Sequence, residues 1–236
     1  MRNITVEVAK HMERLSNEDG VISAVAIDQR GSLKKMLAEA ANKPADETTI
    51  VDFKKAISSE LTPYASAILT DPEYGLPATK VRDKNCGLIL AYEKTGYDTT
   101  EPGRMCDLIA NQSVRRIKEE GADAVKFMLY YDPEEPDAIN DKKKAFVERV
   151  GAETKAYGLA FFLEVVTYDG SMDSVKSEEY AKIKPKKVFM TMEEFSKPQY
   201  EVTVLKVEVP FNIHYVAGFN GDNKALYTVD EAKAMF

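Results

Sequence analysis

This sequence of 236 residues has few of the residues that disulfide frameworks and metal centres need. Its two cysteines, Cys86 and Cys106, form no CxxC pair, and its two histidines are His11 and His214. So little cysteine is typical of the reducing cytoplasm, and we expect a cytoplasmic location. A His-rich metal site is excluded, because two distant histidines cannot supply its ligands.

Long apolar runs and an excess of basic residues are missing as well. No run reaches the roughly 18 apolar residues of a membrane-spanning helix. The amphipathic, charged segment over residues 1–17 is unlike a signal peptide. The formal net charge is −7, whereas nucleic-acid binding needs a basic face. We therefore expect neither a membrane nor a nucleic acid as a partner.

What the chain does contain is an alternation of strand and helix signals. The strands are predicted over residues 21–28, 65–70, 87–92, 123–129, 160–167 and 202–208. The helices are predicted over residues 4–16, from 33 onward, 48–61, 105–119, 138–156 and 174–195, the last broken by Pro185. Thr228 and Glu231 have the spacing of a capping box, which starts a further helix. Six βα repeats predict a parallel sheet of buried strands.

Two architectures fit these repeats. A TIM (β/α)8 barrel has eight strands and typically ~250 residues. A barrel that lacked two strands would expose two long edges. We therefore predict a single barrel domain over residues 1–236, with strands 7 and 8 in a C-terminal portion beyond them. An open six-stranded sheet is the alternative.

Four predicted strands carry a charged residue among apolar ones: Asp28, Lys126, Glu164 and Lys206. Side chains alternate between the two faces of a strand. In each of the four strands, one face is apolar and the opposite face carries the charged residue. Barrel enzymes keep their chemistry at the carboxyl ends of the strands. The four charged residues therefore predict an active site.

The residue types indicate imine chemistry. A lysine nucleophile must lose its proton, and desolvation and a neighbouring cation both favour that loss. Lys206 would be the nucleophile in its apolar strand, and Lys126 would supply the neighbouring cation. Glu164 would shuttle protons, and Asp28 would orient a substrate hydroxyl or hold Lys126. The simpler interpretation of Lys206 is a structural lysine, at a sheet edge or paired with a carboxylate such as the neighbouring Glu208.

Longer motifs carry a family resemblance. DGVISAVAIDQRGSLKKML, TDPEYGLPA, LAYEKTGYD, GADAVKFMLYYD, FFLEVVTYD and VLKVEVPFN together resemble the class I tagatose 1,6-bisphosphate aldolases of bacteria. The resemblance runs from near residue 15 to the end. It implies a (β/α)8 barrel that needs no metal and no cofactor. It also implies cleavage of the sugar bisphosphate to dihydroxyacetone phosphate and glyceraldehyde 3-phosphate in lactose and galactose catabolism.

Carried over by motif, the resemblance assigns roles to individual residues. Lys206 in VLKVEVP corresponds to the Schiff-base lysine, and Glu164 in FFLEV corresponds to the general acid/base. Lys126 in AVKF and Asp28 in DQRG complete the polar centre. Two further residues would bind substrate: Gln29 beside Asp28, and Glu93 in AYEKTG.

The resemblance leaves some points open. A related class I aldolase could act on another ketose phosphate, such as a sulfofructose phosphate. A non-catalytic sugar-phosphate sensor could use the same pocket. The family's remaining quarter of chain holds strands 7 and 8, after which barrels of this type bind phosphate. The oligomeric state is open, with a homo-oligomer as one possibility.

Overall fold

The computed structural model describes residues 4–172 and 174–236. Within them, six strands form one sheet in the order β1-β2-β3-β4-β5-β6. The strands are β1 (Ala24–Ala26), β2 (Ala67–Thr70), β3 (Gly87–Ala91), β4 (Ala124–Tyr131), β5 (Ala160–Thr167) and β6 (Val204–Lys206). The first four pair in parallel, with Val25 opposite Ile68 and Leu90 opposite Val125. The sheet order follows the chain order, as expected of βα repeats.

At least one helix connects each pair of successive strands, and one further helix precedes β1 and another follows β6. The helices are α1 (Val6–Leu15), α2 (Gly31–Ala41), α3 (Glu47–Leu61), α4 (Leu76–Thr79), α5 (Val114–Glu119), α6 (Asp137–Ala156), α7 (Glu178–Phe195) and α8 (Val229–Ala234). None of the helices in the described part of the chain has the length and apolarity needed to cross a membrane. The predicted capping box is present at α8, where Thr228 and Glu231 satisfy each other's backbone N–H groups.

The chain divides into two compact units. The first comprises Met1–Gly96, Asp107–Phe127 and Val150–Phe162, and the second comprises Tyr97–Cys106, Met128–Arg149 and Leu163–Phe236. Fully buried Ile68, Leu88 and Val125 belong to the core of the first unit. In the second unit, the rings of Tyr131 and Tyr200 each lie 4.9 Å from the ring of Phe195.

Burial differs between the inner strands and the edge strands. Every residue of β2 and β3 is buried, whereas the three residues of β1 and the three of β6 are partly or largely exposed. The prediction of a buried sixth strand over residues 202–208 is wrong in both length and burial. Val207 and Val209, just beyond β6, are each 47% exposed. Among the described residues, β5 is the only strand next to β6, so one edge of β6 has no neighbouring strand.

The predicted helix over residues 105–119 begins too early. Residues 105–112 are not helical, and Leu108 forms an antiparallel bridge with Glu93. Ser113 then takes the N-cap position, and its hydroxyl accepts a hydrogen bond from Arg116 N at 3.2 Å. A serine at this position stops the helix from extending backwards, because its side chain satisfies the first free N–H groups.

Pro185 does not break α7, contrary to the sequence prediction. Proline has no N–H, so it leaves the carbonyl of Ala181 without its helical partner. The Tyr227 hydroxyl donates to that carbonyl at 2.8 Å. The replacement hydrogen bond explains how the helix continues through the proline.

Candidate active site

Three of the predicted site residues meet in the first unit. Lys126 Nζ donates to Asp28 Oδ2 at 2.8 Å and to Glu93 Oε1 at 2.7 Å. Lys126 lies within β4, while Asp28 and Glu93 each lie two residues beyond the ends of β1 and β3. The Lys126 side chain is 2% exposed. We call these three residues the Lys126 cluster.

Glu93 is the buried carboxyl group of this cluster. Burial raises the pKa of Glu93, and the neighbouring Lys126 ammonium only partly offsets that rise. A second cation is close, because Arg30 Nη2 lies 3.8 Å from Glu93 Oε1 and donates to the Glu93 carbonyl at 2.8 Å. A buried carboxyl with a raised pKa can hold a proton that an exposed one would release.

Lys54 of α3 fixes the backbone on both sides of Asp28. Its Nζ donates to the carbonyl of Ile27 at 2.7 Å and to the carbonyl of Gln29 at 2.9 Å. It also bonds to the buried carboxylate of Asp71. Burial lowers the pKa of Lys54, while Asp71 opposes that shift. The loop that presents Asp28 is therefore held by a buried side chain.

Sequence reasoning missed Lys54, although a signal was present. Ile50, Lys54 and Ser58 recur at four-residue spacing and form the buried face of α3. A lysine on such a face needs buried acceptors, because an unpaired buried charge is costly. Arg30, which follows the DQ of the DQRG motif, was missed as well.

Lys206 and Glu164 form a pair in the second unit. Lys206 Nζ donates to Glu164 Oε1 at 2.6 Å. Lys206 ends β6, and Glu164 lies within β5. The Lys206 side chain is 43% exposed and that of Glu164 is 20% exposed. The expectation that an apolar strand desolvates Lys206 is therefore wrong, because the end of β6 is open to solvent. We call these two residues the Lys206 pair.

Glu208 does not take the place of Glu164. Its Oε2 accepts hydrogen bonds from Thr167 N at 2.8 Å and from Thr167 Oγ1 at 2.6 Å. Lys184 Nζ lies 3.6 Å from its other oxygen. Glu208 is therefore not the partner of Lys206 in the structure. The rest of the simpler interpretation agrees with the structure, since Lys206 lies in the last strand of the described sheet and pairs with a carboxylate, that of Glu164.

Gln29 is the sixth predicted site residue. Its carbonyl is held by Lys54, and the residue is exposed next to Asp28. A substrate contact for Gln29 stays a prediction. The residues that the structure describes contain no group of three or more His, Cys, Asp or Glu residues placed to hold a metal ion.

The family follows from comparison with known proteins. The model of the DeoC/LacD family aldolases matches residues 22–235. The chain belongs to this family. It is 56% identical over 236 residues to "Tagatose 1,6-diphosphate aldolase 2" of Enterococcus faecalis, covering 100% of this chain and 71% of that protein. It is also 56% identical over 225 residues to the tagatose 1,6-diphosphate aldolase of Listeria monocytogenes, covering 95% of this chain and 66% of that one.

Solved structures show the same fold for this DeoC/LacD aldolase. A Schiff base forming fructose-1,6-bisphosphate aldolase matches with a TM-score of 0.51 at 15% identity, covering 85% of this chain and 70% of that chain. An archaeal fructose 1,6-bisphosphate aldolase matches with a TM-score of 0.50 at 16% identity, over the same shares of the two chains. The predicted aldolase barrel class is thereby confirmed, and the described residues contribute six of its strands.

Proposed function

We propose that this DeoC/LacD family aldolase cleaves tagatose 1,6-bisphosphate to dihydroxyacetone phosphate and glyceraldehyde 3-phosphate through a Schiff base on Lys206. The names of its relatives at 56% identity support the substrate. One observation carries the chemistry: Lys206 Nζ lies 2.6 Å from Glu164 Oε1 in a pair that stays open to solvent. A carbonyl compound can reach an amine in such surroundings.

The first step is a proton transfer within the Lys206 pair. As an ion pair, the lysine carries the proton and cannot attack. Moving that proton to Glu164 produces a free amine and a neutral carboxylic acid, and no proton is exchanged with solvent. The amine then attacks C2 of the ketose to give a carbinolamine. Glu164 returns its proton to the carbinolamine hydroxyl, which leaves as water and gives the iminium.

Glu164 is then a carboxylate again and acts as a base. It removes the proton of the C4 hydroxyl, the C3–C4 bond breaks, and the electron pair moves to the iminium nitrogen through an enamine. Carbon C4 becomes the aldehyde carbon of glyceraldehyde 3-phosphate, which leaves the site. Protonation of the enamine carbon and addition of water release dihydroxyacetone phosphate and restore the lysine. The single water lost in the first half is regained in the second.

The Lys126 cluster has a different role in this proposal. Lys126 is a fixed cation, since it is buried and contacts two carboxylates. Asp28 orients a substrate hydroxyl from a loop that Lys54 holds in place. Gln29 and Glu93 are the proposed substrate-binding residues.

Three broader features complete the proposal. Residues 1–236 belong to one aldolase barrel domain, the protein acts in the cytoplasm, and its partner is a sugar bisphosphate. Whether the protein forms a homo-oligomer stays open. The scarcity of cysteine and the absence of a membrane-spanning helix in the described chain are compatible with the cytoplasmic location.

The test combines cleavage and trapping. We expect tagatose 1,6-bisphosphate to be cleaved at the same rate with and without EDTA, and borohydride with dihydroxyacetone phosphate to inactivate the enzyme. Loss of activity in EDTA that zinc restores would indicate a class II aldolase. Binding of the bisphosphate with neither cleavage nor borohydride inactivation would instead favour a sugar-phosphate sensor.

A further inference from the structure

Glu208 lies two residues after the proposed nucleophile Lys206, but its carboxylate binds the neighbouring strand. Its Oε2 accepts hydrogen bonds from the backbone N–H and from the hydroxyl of Thr167, at 2.8 and 2.6 Å. Thr167 is the last residue of β5, the strand that contains Glu164. The side chain of Glu208 therefore joins the segment after β6 to the end of β5.

This contact extends the pairing of the two strands beyond the end of β6. In a parallel sheet, the N–H groups of one strand normally donate to carbonyl groups of the next. Because β6 is three residues long and ends at Lys206, the carboxylate of Glu208 serves as the acceptor for the N–H of Thr167. Hydrogen bonds to a carboxylate are about twice as strong as those between neutral groups. The contact thus fixes where the end of β6 lies along β5.

The groups that hold Glu208 are themselves fixed. Thr167 is buried, and its hydroxyl accepts a hydrogen bond at 2.9 Å from the hydroxyl of Tyr180, which is also buried. Tyr180 belongs to α7, as does Lys184, whose Nζ lies 3.6 Å from Oε1 of Glu208. The carboxylate is therefore anchored to a strand and to a helix of the same unit.

We propose that Glu208 is a positioning residue for the aldolase reaction, because it holds the end of β6 against β5 and so keeps Lys206 Nζ beside Glu164. The contact between Lys206 and Glu164 is partly exposed, and exposed ion pairs contribute too little to fix a strand end alone. This inference rests on the proposed function, since the position of Lys206 affects the rate only if it exchanges a proton with Glu164.

The experiment measures how fast borohydride traps dihydroxyacetone phosphate on the enzyme. With borohydride in excess, formation of the imine limits this rate. We expect Glu208→Ala to lower it about 10- to 100-fold, because a displacement of roughly 1 Å at a reacting group has an effect of this size. Glu208→Gln keeps an oxygen that can accept from Thr167, so it should retain most of the rate. A wild-type rate in Glu208→Ala would overturn the proposal.

A cycle of single and double variants separates positioning from general damage. If Glu208 acts by placing Lys206 beside Glu164, removing it should matter little once residue 164 can no longer accept a proton. We therefore expect Glu208→Ala to lower the trapping rate much less in the Glu164→Gln background than in the wild type. The same factor in both backgrounds would overturn the role.

Glu194→Ala is the matched control. Glu194 is also a partly buried carboxylate of the second unit, but it binds the hydroxyl of Tyr200 and the ammonium of Lys197. It should trap at the wild-type rate. A loss equal to that of Glu208→Ala would show that any broken contact in this unit slows the reaction, which overturns the proposal.

A second variant applies should Glu208→Ala not fold. Thr167→Val removes one of the two donors to Glu208 and keeps the size of the side chain. We expect a smaller loss of trapping rate in the same direction, and it should shrink in the Glu164→Gln background. A loss of the same factor in both backgrounds, or no loss in either, would overturn the role.

Failure of the positioning role and failure of the proposed function give different results. An adduct on Lys206 in the wild type, together with equal factors in the two backgrounds, overturns the positioning role alone. If the wild type neither cleaves nor forms the adduct, a crystal structure of Glu208→Ala decides the role. Separation of Lys206 Nζ from Glu164 Oε1 beyond hydrogen-bonding distance then supports it, and an unchanged distance of 2.6 Å overturns it.

Discussion

Lys126 and Lys206 are both strand lysines that bind carboxylates, but their surroundings differ. Lys126 is 2% exposed and contacts Asp28 and Glu93, whereas Lys206 is 43% exposed and pairs with Glu164. A buried lysine between two carboxylates is held in one position. An exposed lysine beside a carboxylate can exchange its proton and its partner. The contrast is compatible with the proposed roles, a fixed cation for Lys126 and a nucleophile for Lys206.

The position of each lysine in the sheet explains the difference. Lys126 lies in β4, an inner strand. Its two carboxylate partners are Glu93, which follows the neighbouring strand β3, and Asp28, which follows β1. Lys206 ends β6, which is the last strand in the order that the described residues form. The inner position gives burial, and the outer position gives access. Breaking the contacts of Lys126 should therefore lower the stability of the protein, whereas breaking the contact of Lys206 should lower its activity.

The largest expected effect is on turnover at the exposed lysine. We expect Lys206→Ala to lower kcat by roughly 10⁴-fold or more, the loss seen when an essential nucleophile is removed. The free energy of unfolding should change by about 1 kcal/mol or less, because exposed ion pairs contribute little. A cleavage assay and denaturant unfolding measure the two quantities. Lys182→Ala, which removes an exposed lysine of α7, is the control and should keep its activity.

Glu164 should show the next largest effect. Glu164→Gln keeps the shape of the side chain but can no longer exchange a proton with Lys206. We expect kcat to fall about 10²- to 10⁴-fold, the usual contribution of a general acid/base, with little change in stability. Single-turnover cleavage measures the chemical step. Wild-type rates in this variant would show that another group carries the protons.

The buried lysine should reveal itself through stability. Lys126→Met leaves the buried Glu93 and the partly buried Asp28 without their shared cation, so the free energy of unfolding should fall by about 3–5 kcal/mol. The double variant Lys126→Met/Glu93→Gln should regain part of that loss, because one uncompensated charge is removed. Denaturant unfolding measures both. If Lys126→Met unfolds like the wild type, the contrast between the two lysines is wrong.

The smallest effect concerns pH. Burial raises the pKa of Glu93, so the native protein binds this proton more tightly than the unfolded chain. The stability that this proton contributes is present below pH 4.5, the ordinary pKa of the group in the unfolded chain. It is lost as the pH rises through the raised pKa of the native protein. The stability of the wild type relative to Glu93→Gln should therefore decrease as pH rises above 4.5.

Unfolding over a series of pH values measures this slope. Glu39→Gln, which changes an exposed carboxylate of α2, is the control and should run parallel to the wild type. A wild type that gains stability relative to Glu93→Gln over the same pH range would contradict the assigned direction.

Much of the inner sheet could be predicted from the sequence. The strand at Ala160–Thr167 was predicted to the residue, because a run of large apolar residues between glycine and turn signals leaves few alternatives. Alternation of faces also placed Asp28 and Lys126 among the charged residues of one face, and the structure brings them to 2.8 Å. Their catalytic roles, like those of Glu164 and Lys206, stay predictions.

The features that sequence reasoning missed depend on tertiary contacts. The length of β6 depends on whether a strand pairs with each of its edges, and the residues of β6 alone do not show this. Lys54 looks like an ordinary helix lysine until the carbonyls of Ile27 and Gln29 are seen around it. Pro185 predicts a break, and a tyrosine hydroxyl 42 positions later in the chain, on Tyr227, provides the missing hydrogen bond. In each case a distant residue overrides a local preference.

The most direct test of the central claim is to locate the trapped adduct. The enzyme would be reduced with borohydride in the presence of dihydroxyacetone phosphate, digested, and mapped by mass spectrometry. We expect the modified lysine to be Lys206 and Lys126 to be unmodified. An adduct on Lys126, or on any lysine other than Lys206, would contradict it.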